Sequence, residues 1–253
     1  MDKKIALLNK KEILETISKA SLNKLDSLIV SKKTGSTNDD AKNTLKESEV
    51  NLCAHFAEQQ NSGRGRGGKN WTSPFAKNIY FSMGWNTNLT LSEIEGLSLA
   101  VGVVVAEALQ KFINESIKIK WPNDLFVRGQ KIAGILIEQR ADRYLVGIGI
   151  NVLEAPIPSA TCLRECGSDA LLPVVVDVAI GSVFDAAQLN ENTAVSEWKK
   201  RDILMGTKQT IRSGGTSVEG TVISVDPCNT LILQTSEALL EFPAATSTIV
   251  TSC

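Results

Sequence analysis

The stretch N-S-G-R-G-R-G-G-K-N-W, residues 61 to 71, sets Arg64, Arg66 and Lys69 among four glycines and closes on Trp71. Glycines let backbone N–H groups approach an anion, arginines grip phosphate or carboxylate oxygens with two donors, and an indole offers a face to a base. Taken alone, this composition fits a small-molecule phosphate site, an RNA-binding RGG fragment or a structural surface loop. It lacks the G-x-x-x-x-G-K-[ST] order of a P-loop, and its setting between two predicted strands differs from the helix start that G-x-G-x-x-G requires.

Three further segments carry chemistry-bearing residues. Lys120-Trp121-Pro122-Asn123-Asp124 ends a predicted strand: Pro122 stops it and favours an extended Trp121, while Asn123-Asp124 suits a turn. Lys131 opens K-I-A-G-I-L-I-E, and a lysine beside a reacting phosphate stabilises developing charge without being a nucleophile. Gly134 in that strand marks either the close approach of a ligand or a bulge. In Gly147-Ile148-Gly149-Ile150-Asn151 the glycines thin one face of a strand. Asp124 and Asn151 are either turn residues or contacts to Mg²⁺ carried by a triphosphate.

The elements that must position these groups follow from periodicity. Alternation predicts a strand over Asn78 to Trp85 with one buried face, and β-branched content predicts strands at Ala54 to Ala57, Ile117 to Lys120, Lys131 to Glu138 and Tyr144 to Ile150. Helices are predicted over Lys10 to Ala20 with Asn9 as cap, Asp39 to Glu47, Ser92 to Phe112 and Val174 to Leu189, the third opened by a Ser92/Glu95 capping box. Short separations between strands favour hairpins, hence an α+β fold with a mixed or largely antiparallel sheet. After Gly206 the texture changes to short strands at Lys208 to Arg212, Ser217 to Val225, Thr230 to Thr235 and Ala238 to Phe242, suiting a small barrel.

Composition excludes several classes. With 253 residues, 43 % hydrophobic, the chain can build a substantial core, and 27 basic against 28 acidic side chains, net charge -1, argue against a nucleic-acid footprint as its main surface. Five irregularly spaced cysteines, Cys53, Cys162, Cys166, Cys228 and Cys253, form neither a disulfide framework nor a zinc pattern. His55, the sole histidine, reads as a strand side chain. Leu97 to Leu109 is the longest apolar segment, contains Glu107 and is too short to span a bilayer. No secretion signal is evident, so a cytoplasmic, membrane-free protein is expected.

Taken together, S-T-N at 36 to 38, G-R-G-R-G-G-K-N-W at 63 to 71, K-W-P-N-D at 120 to 124, K-I-A-G-I-L-I-E at 131 to 138 and G-I-G-I-N at 147 to 151 resemble the biotin protein ligases. The likeness extends over residues 30 to 243, including W-K-K-R-D-I-L-M-G at 198 to 206. It implies a class II synthetase-like catalytic domain over 30–204 and an SH3-like barrel over 205–253, preceded by an N-terminal extension and short helix at 1–29. A ligase without the DNA-binding domain of the repressor members is expected. Its implied activity is activation of biotin with MgATP to biotinyl-5′-AMP, then transfer to a lysine of a carboxylase biotin carrier domain, by a monomer or homodimer.

By the same resemblance, Ser36, Thr37, Asn38, Gln60, Arg64, Lys131 and Gly134 bind biotin. Arg64, Arg66, Lys69, Trp71, Lys120, Asn123 and Asn151 bind ATP or the adenylate, and Asp124 with Asn151 meets Mg²⁺ through ATP. Lys131 and Arg66 are the catalytic pair, Lys131 at the carboxyl oxygen and α-phosphate, Arg66 on the adenylate phosphate. Gly67 and Lys69 stand where many members have arginines, which lowers the bidentate capacity of the loop. The end after Glu241-Phe242-Pro243 lacks a clear final glycine-rich turn and strand. Lipoate protein ligases share the adenylation logic and are the nearest alternative; a silent acyl-adenylate-binding module is the other.

Overall fold

The computed structural model describes residues 8, 10–47, 49–87, 91–140 and 142–250, without the side chains of 91–95 and 140. Asn9 and Cys253 lie outside the described residues, as do the side chains of Ser92 and Glu95 that would make the capping box.

Strands β1 (Ser27–Ser31), β2 (Leu52–Ala57), β3 (Ile79–Asn86), β4 (Lys118–Lys120), β5 (Asp124–Val127), β6 (Gln130–Arg140) and β7 (Arg143–Ile150) form one sheet in the order β1-β2-β3-β7-β6-β5-β4. β1 runs parallel to β2 and the other neighbours are antiparallel. The fold is thus α+β with a mixed, largely antiparallel sheet.

Cross-strand partners share a face. Ile79, Phe81 and Met83 of β3 lie beside Ile150, Ile148 and Val146 of β7, which in turn lie beside Ala133, Ile135 and Ile137 of β6. Helices α4 (Leu91–Gln110) and α5 (Leu172–Ala186) pack on this apolar face. Tyr80, Ser82 and Gly84 line up with Gly149, Gly147 and Leu145, and then with Gly134, Leu136 and Glu138, on the opposite face. That face is met by the short helix α3 (Thr37–Thr44). The expectation of a single buried face for β3 is therefore corrected: residues Ile79 to Gly84 are all buried, because α3 and the segment before β3 cover the side that alternation alone assigns to solvent.

Further helices complete this layer. The helix expected over Lys10 to Ala20 is broken into α1 (Lys10–Thr16) and α2 (Lys19–Leu22), with Ser18 accepting from Ser21 N as the cap of the second. Both pack on α5, and Ser18 N donates to Asp177 Oδ1 at 3.0 Å. α6 (Glu191–Arg201) is capped by Asn190, which accepts from Asn192 N and Thr193 N, and ends on Lys199, Lys200 and Arg201, where cations suit the helix dipole. It buries Trp198 against Gly102 of α4 and also touches the second sheet.

That second sheet holds β8 (Lys208–Ser213), β9 (Thr216–Val225), β10 (Thr230–Gln234), β11 (Leu239–Pro243) and β12 (Ser247–Ile249), all antiparallel, in the order β11-β10-β9-β8-β12. It is an open sheet with β11 and β12 as its edges, not a closed barrel. A final strand does exist, against the sequence expectation: Ile249 pairs with Ile211 and Ser247 with Ser213, so the free edge of β8 supplies the partners that the serine- and threonine-rich end lacks in itself. The two sheets are tied together. Trp121, buried, donates its Nε1–H to Asn229 O at 3.0 Å, and Asn229 Nδ2 donates to Pro122 O at 3.4 Å.

Candidate active site

A cleft of about 1100 Å³ opens on the glycine-bearing face of the main sheet, between α3, the 63–71 loop and the 245–249 segment of the small sheet. Thirteen of the fourteen residues expected to act line it, from Ser36, Thr37, Asn38 and Gln60 through Arg64, Arg66, Lys69 and Trp71 to Lys120, Asn123, Asp124, Lys131 and Gly134.

One end of the cleft is a hydrogen-bonded chain. Ser36 takes the N-cap position of α3 in an extended conformation without spending its side chain on the cap, so Thr37 and Asn38 start the helix, buried against the sheet. Asn38 Nδ2 donates to Glu138 Oε2 at 2.7 Å, and Ser82 Oγ lies 2.5 Å from Asn38 Oδ1 and 2.7 Å from Thr37 Oγ1. Thr37 N–H donates to Gln60 Oε1 at 2.9 Å, with Thr37 Oγ1 at 3.1 Å from the same oxygen, and Gln60 Nε2 reaches Ser73 Oγ at 3.3 Å. Gly147 makes this possible: a Cβ there would sit 2.6 Å from Asn38 Oδ1.

The middle is flat and apolar. Gly134 and Gly149 are cross-strand partners, and the indole of Trp71 lies on both: a Cβ on Gly149 would come within 2.3 Å of the ring and one on Gly134 within 2.9 Å. Lys131 Nζ stands 5.0 Å from the centroid of that indole and 2.6 Å from Asp124 Oδ1. The ammonium is thus held in the cleft by a carboxylate and an aromatic face.

The two loop arginines are held differently. Arg64 makes a bidentate pair with Asp39 at 2.6 and 2.8 Å and reaches Glu138 at 3.5 Å. The Asp39 hydrogen bond, helped by the charges of Asp39 and Glu138 against partial burial, raises its pKa above an arginine's already high value. Its donors are turned to the protein's own carboxylates. Arg66 donates from Nη2 to Ala244 O and, at 3.1 Å, to Ser247 O, which links the loop to the turn before β12. Gly67 and Gly68, both at positive φ, form the exposed tip, and Lys69 is exposed beside them.

Asn151 is the exception. It lies outside the cleft lining, 1 % exposed, and its Nδ2 donates to Thr161 O at 3.0 Å and Lys131 O at 3.3 Å. These bonds make Asn151 a brace for the backbone at Lys131 and Thr161. Asn123 lines the cleft but gives its Nδ2–H to Ile135 O. Lys120 lies 5.8 Å over Phe126. Among the described residues no group of three His, Cys, Asp or Glu side chains could hold a metal ion. A magnesium ion would have to arrive on its phosphate ligand, with the Asp124 carboxylate as the available oxygen.

Sequence reasoning missed Asp39, Ser82 and Glu138 as site residues. The signal for Glu138 was present, since alternation puts it on one face with Gly134 and Leu136. Ser82 carried the same mark, alternating with Tyr80 and Gly84 in its strand, and Asp39 carried none.

The chain is similar in sequence and fold to known proteins. Residues 30–153 match the model of the Biotin/lipoate A/B protein ligase family. The bifunctional ligase/repressor BirA of Escherichia coli is 31 % identical over 196 residues, 72 % of this chain and 61 % of that protein. The biotin--[acetyl-CoA-carboxylase] ligase of Paracoccus denitrificans is 28 % identical over 220 residues, 75 % of this chain and 87 % of that protein. The biotin protein ligase of Aquifex aeolicus, solved in complex with biotin and ATP, superposes with a TM-score of 0.75 at 27 % identity, covering 90 % of this chain and all of that one. The chain spans about three fifths of the length of the E. coli relative. Residues 30–153 belong to the Biotin/lipoate A/B protein ligase family.

Proposed function

We propose that the protein is a biotin protein ligase: it joins biotin to MgATP as biotinyl-5′-AMP, releasing pyrophosphate, and passes the biotinyl group to a carrier lysine, releasing AMP. The observation that carries this reading is the cleft itself, in which a hydrogen-bonding end, a glycine floor and the Lys131 ammonium follow one another on a single sheet face. The relatives named as biotin ligases, and the complex of one with biotin and ATP, support it.

The chemistry sets two demands. A carboxylate must approach an α-phosphate, so two anions have to be held together, and Lys131 provides the charge that offsets their repulsion in the transition state. Asp124, its partner at 2.6 Å, keeps the ammonium in place until substrate oxygens compete for it. Arg66 then exchanges the Ala244 and Ser247 carbonyls for the adenylate phosphate and retains the intermediate. Magnesium is part of the ATP substrate. Residues 30–204 make the catalytic unit and 205–253 the small domain, which lines one wall of the cleft through residues 245–249. The ATP and the unmodified carrier it uses are those of the cytoplasm.

The test is transfer. With biotin, MgATP and a carboxylase carrier domain, mass spectrometry is expected to show one biotinyl group on a single carrier lysine, and none when that lysine is replaced by arginine. Unmodified carrier, or equal labelling of the arginine variant, contradicts the reading.

A further inference from the structure

Glu138 takes no part in the chemistry above, yet it stands at the head of the hydrogen-bonded chain that ends on the acid pocket. We infer that Glu138, acting through Asn38, fixes the direction of the hydrogen bonds as far as Ser82, so that Thr37 spends its proton inside the protein, presents an acceptor to the cleft and selects an acid whose head group carries N–H donors. This rests on the proposed ligase reading and specifies how the same site chooses its acid.

The direction follows from proton counting. A carboxylate only accepts, so the atom of Asn38 that faces Glu138 Oε2 at 2.7 Å must be the amide nitrogen. The opposite orientation would put the amide oxygen against an anion. Asn38 Oδ1 therefore faces Ser82, where at 2.5 Å it takes the only hydroxyl proton Ser82 has. Ser82 Oγ, buried completely, is left as an acceptor 2.7 Å from Thr37 Oγ1. Thr37 also has one hydroxyl proton, and both neighbours within reach, Ser82 Oγ and Gln60 Oε1 at 3.1 Å, are acceptors. Whichever receives it, the proton is spent inside the protein, and Thr37 keeps lone pairs for the ligand. Gln60 is oriented as well, because its Oε1 accepts from Thr37 N–H at 2.9 Å, so its nitrogen supplies a donor beside that acceptor. An acceptor next to a donor matches a cyclic urea, with its N–H and C=O groups, and not a dithiolane or a hydrocarbon end.

The carboxylate is itself held: Arg64 reaches Glu138 at 3.5 Å while gripping Asp39. Glu138 and Ser82 are thus positioning residues.

A neutral isostere breaks the direction without removing bulk, since a glutamine at 138 can accept from or donate to Asn38. The experiment measures acid-dependent ATP–pyrophosphate exchange with biotin and with lipoate on the wild-type chain, Glu138→Gln and Ser82→Ala, with thermal unfolding of each as a control. In both variants the biotin KM is expected to rise about tenfold or more and the biotin-to-lipoate ratio of kcat/KM to fall by the same factor, with the ATP KM within about twofold of wild type; tenfold corresponds to about 1.4 kcal/mol. A structural lesion would move the constants for both acids and ATP together, and that result overturns the inference. So does an unchanged ratio in the two variants while wild type exchanges biotin, which leaves the ligase reading intact. Wild-type protein that exchanges with neither acid overturns both.

Discussion

The two faces of the seven-stranded sheet are built from the same strands by opposite rules. Toward α4 and α5, β3 presents Ile79, Phe81 and Met83, β7 Val146, Ile148 and Ile150, and β6 Ala133, Ile135 and Ile137, all but Ile137 fully buried. Toward the cleft the same strands present Tyr80 and Ser82, Gly147 and Gly149, and Gly134 and Glu138. The apolar cluster on the cleft side is limited to Ala41, Leu45, Cys53 and Leu145, with Val50 at its margin. One face is spent on stability and the other is left thin, so that side chains from α3 and the 63–71 loop can lie directly on the backbone. Because the faces alternate residue by residue, neighbouring substitutions should have effects of different kinds.

The largest effect belongs to the packed face. Phe81→Ala removes a ring stacked on Phe56 at 4.7 Å and fully buried, and should cost about 3–5 kcal/mol of stability in urea or thermal unfolding. Exchange activity per folded molecule should persist at low temperature; a loss confined to activity would mean that the faces are not independent. On the cleft face, Lys131→Ala should slow biotin-dependent pyrophosphate release about 10²–10³-fold, the scale of one lost transition-state charge contact, with little change in unfolding temperature. Near-normal release would remove Lys131 from its assigned role.

Next in size is the loop. Arg66→Gly gives up the contacts to Ala244 and Ser247 and the phosphate clamp together. Biotinyl-AMP should then leave about tenfold faster, read by trapping the released intermediate, with stray biotinylation of exposed lysines; an unchanged off-rate would refute the clamp. The smallest effect lies at His55, on the cleft side of β2 beneath α3, where its Nε2 lies 3.0 Å from Thr44 Oγ1. Burial lowers its pKa from 6.5, against the opposing pull of Asp40. The unfolded chain therefore binds the proton more readily, and stability should fall as pH drops below about 6.5. As His55 is the only histidine, His55→Gln should flatten the dependence of unfolding temperature on pH just below that value, and an identical slope would show that other groups set it.

The same contrast explains what could be read in the sequence. The apolar face was legible, because runs such as Ile135 and Ile137 or Ile148 and Ile150 announce themselves by alternation. So were the glycines of the cleft face and Lys131, each carrying its signal in a few adjacent residues. β1 was not, since Ser27–Ser31 is five residues long and depends on its parallel register with β2. β5 was hidden by Asn123-Asp124, which reads as a turn, although the strand starts at Asp124 and hydrogen bonds to both neighbours. α6 was not named as a helix, because ENTAVSEWKKR buries only Ala194 and Trp198. Within the site, Arg64 read as a ligand clamp, and only the approach of Asp39 from α3 and Glu138 from β6 shows where its donors go. Those contacts join residues 25 and 74 positions apart, and no local pattern encodes them. The hydrogen bonds of Asn151 were hidden for the same reason: its partners, Thr161 and Lys131, lie on other segments.

The central claim is that the thin face of this sheet activates biotin. ATP–pyrophosphate exchange, run in parallel with biotin, lipoate and octanoate on the wild-type chain, tests it most directly. Exchange that depends on biotin and exceeds that with either other acid by an order of magnitude or more is the predicted result. Exchange indifferent to the acid supplied, or as fast with lipoate as with biotin, would contradict it.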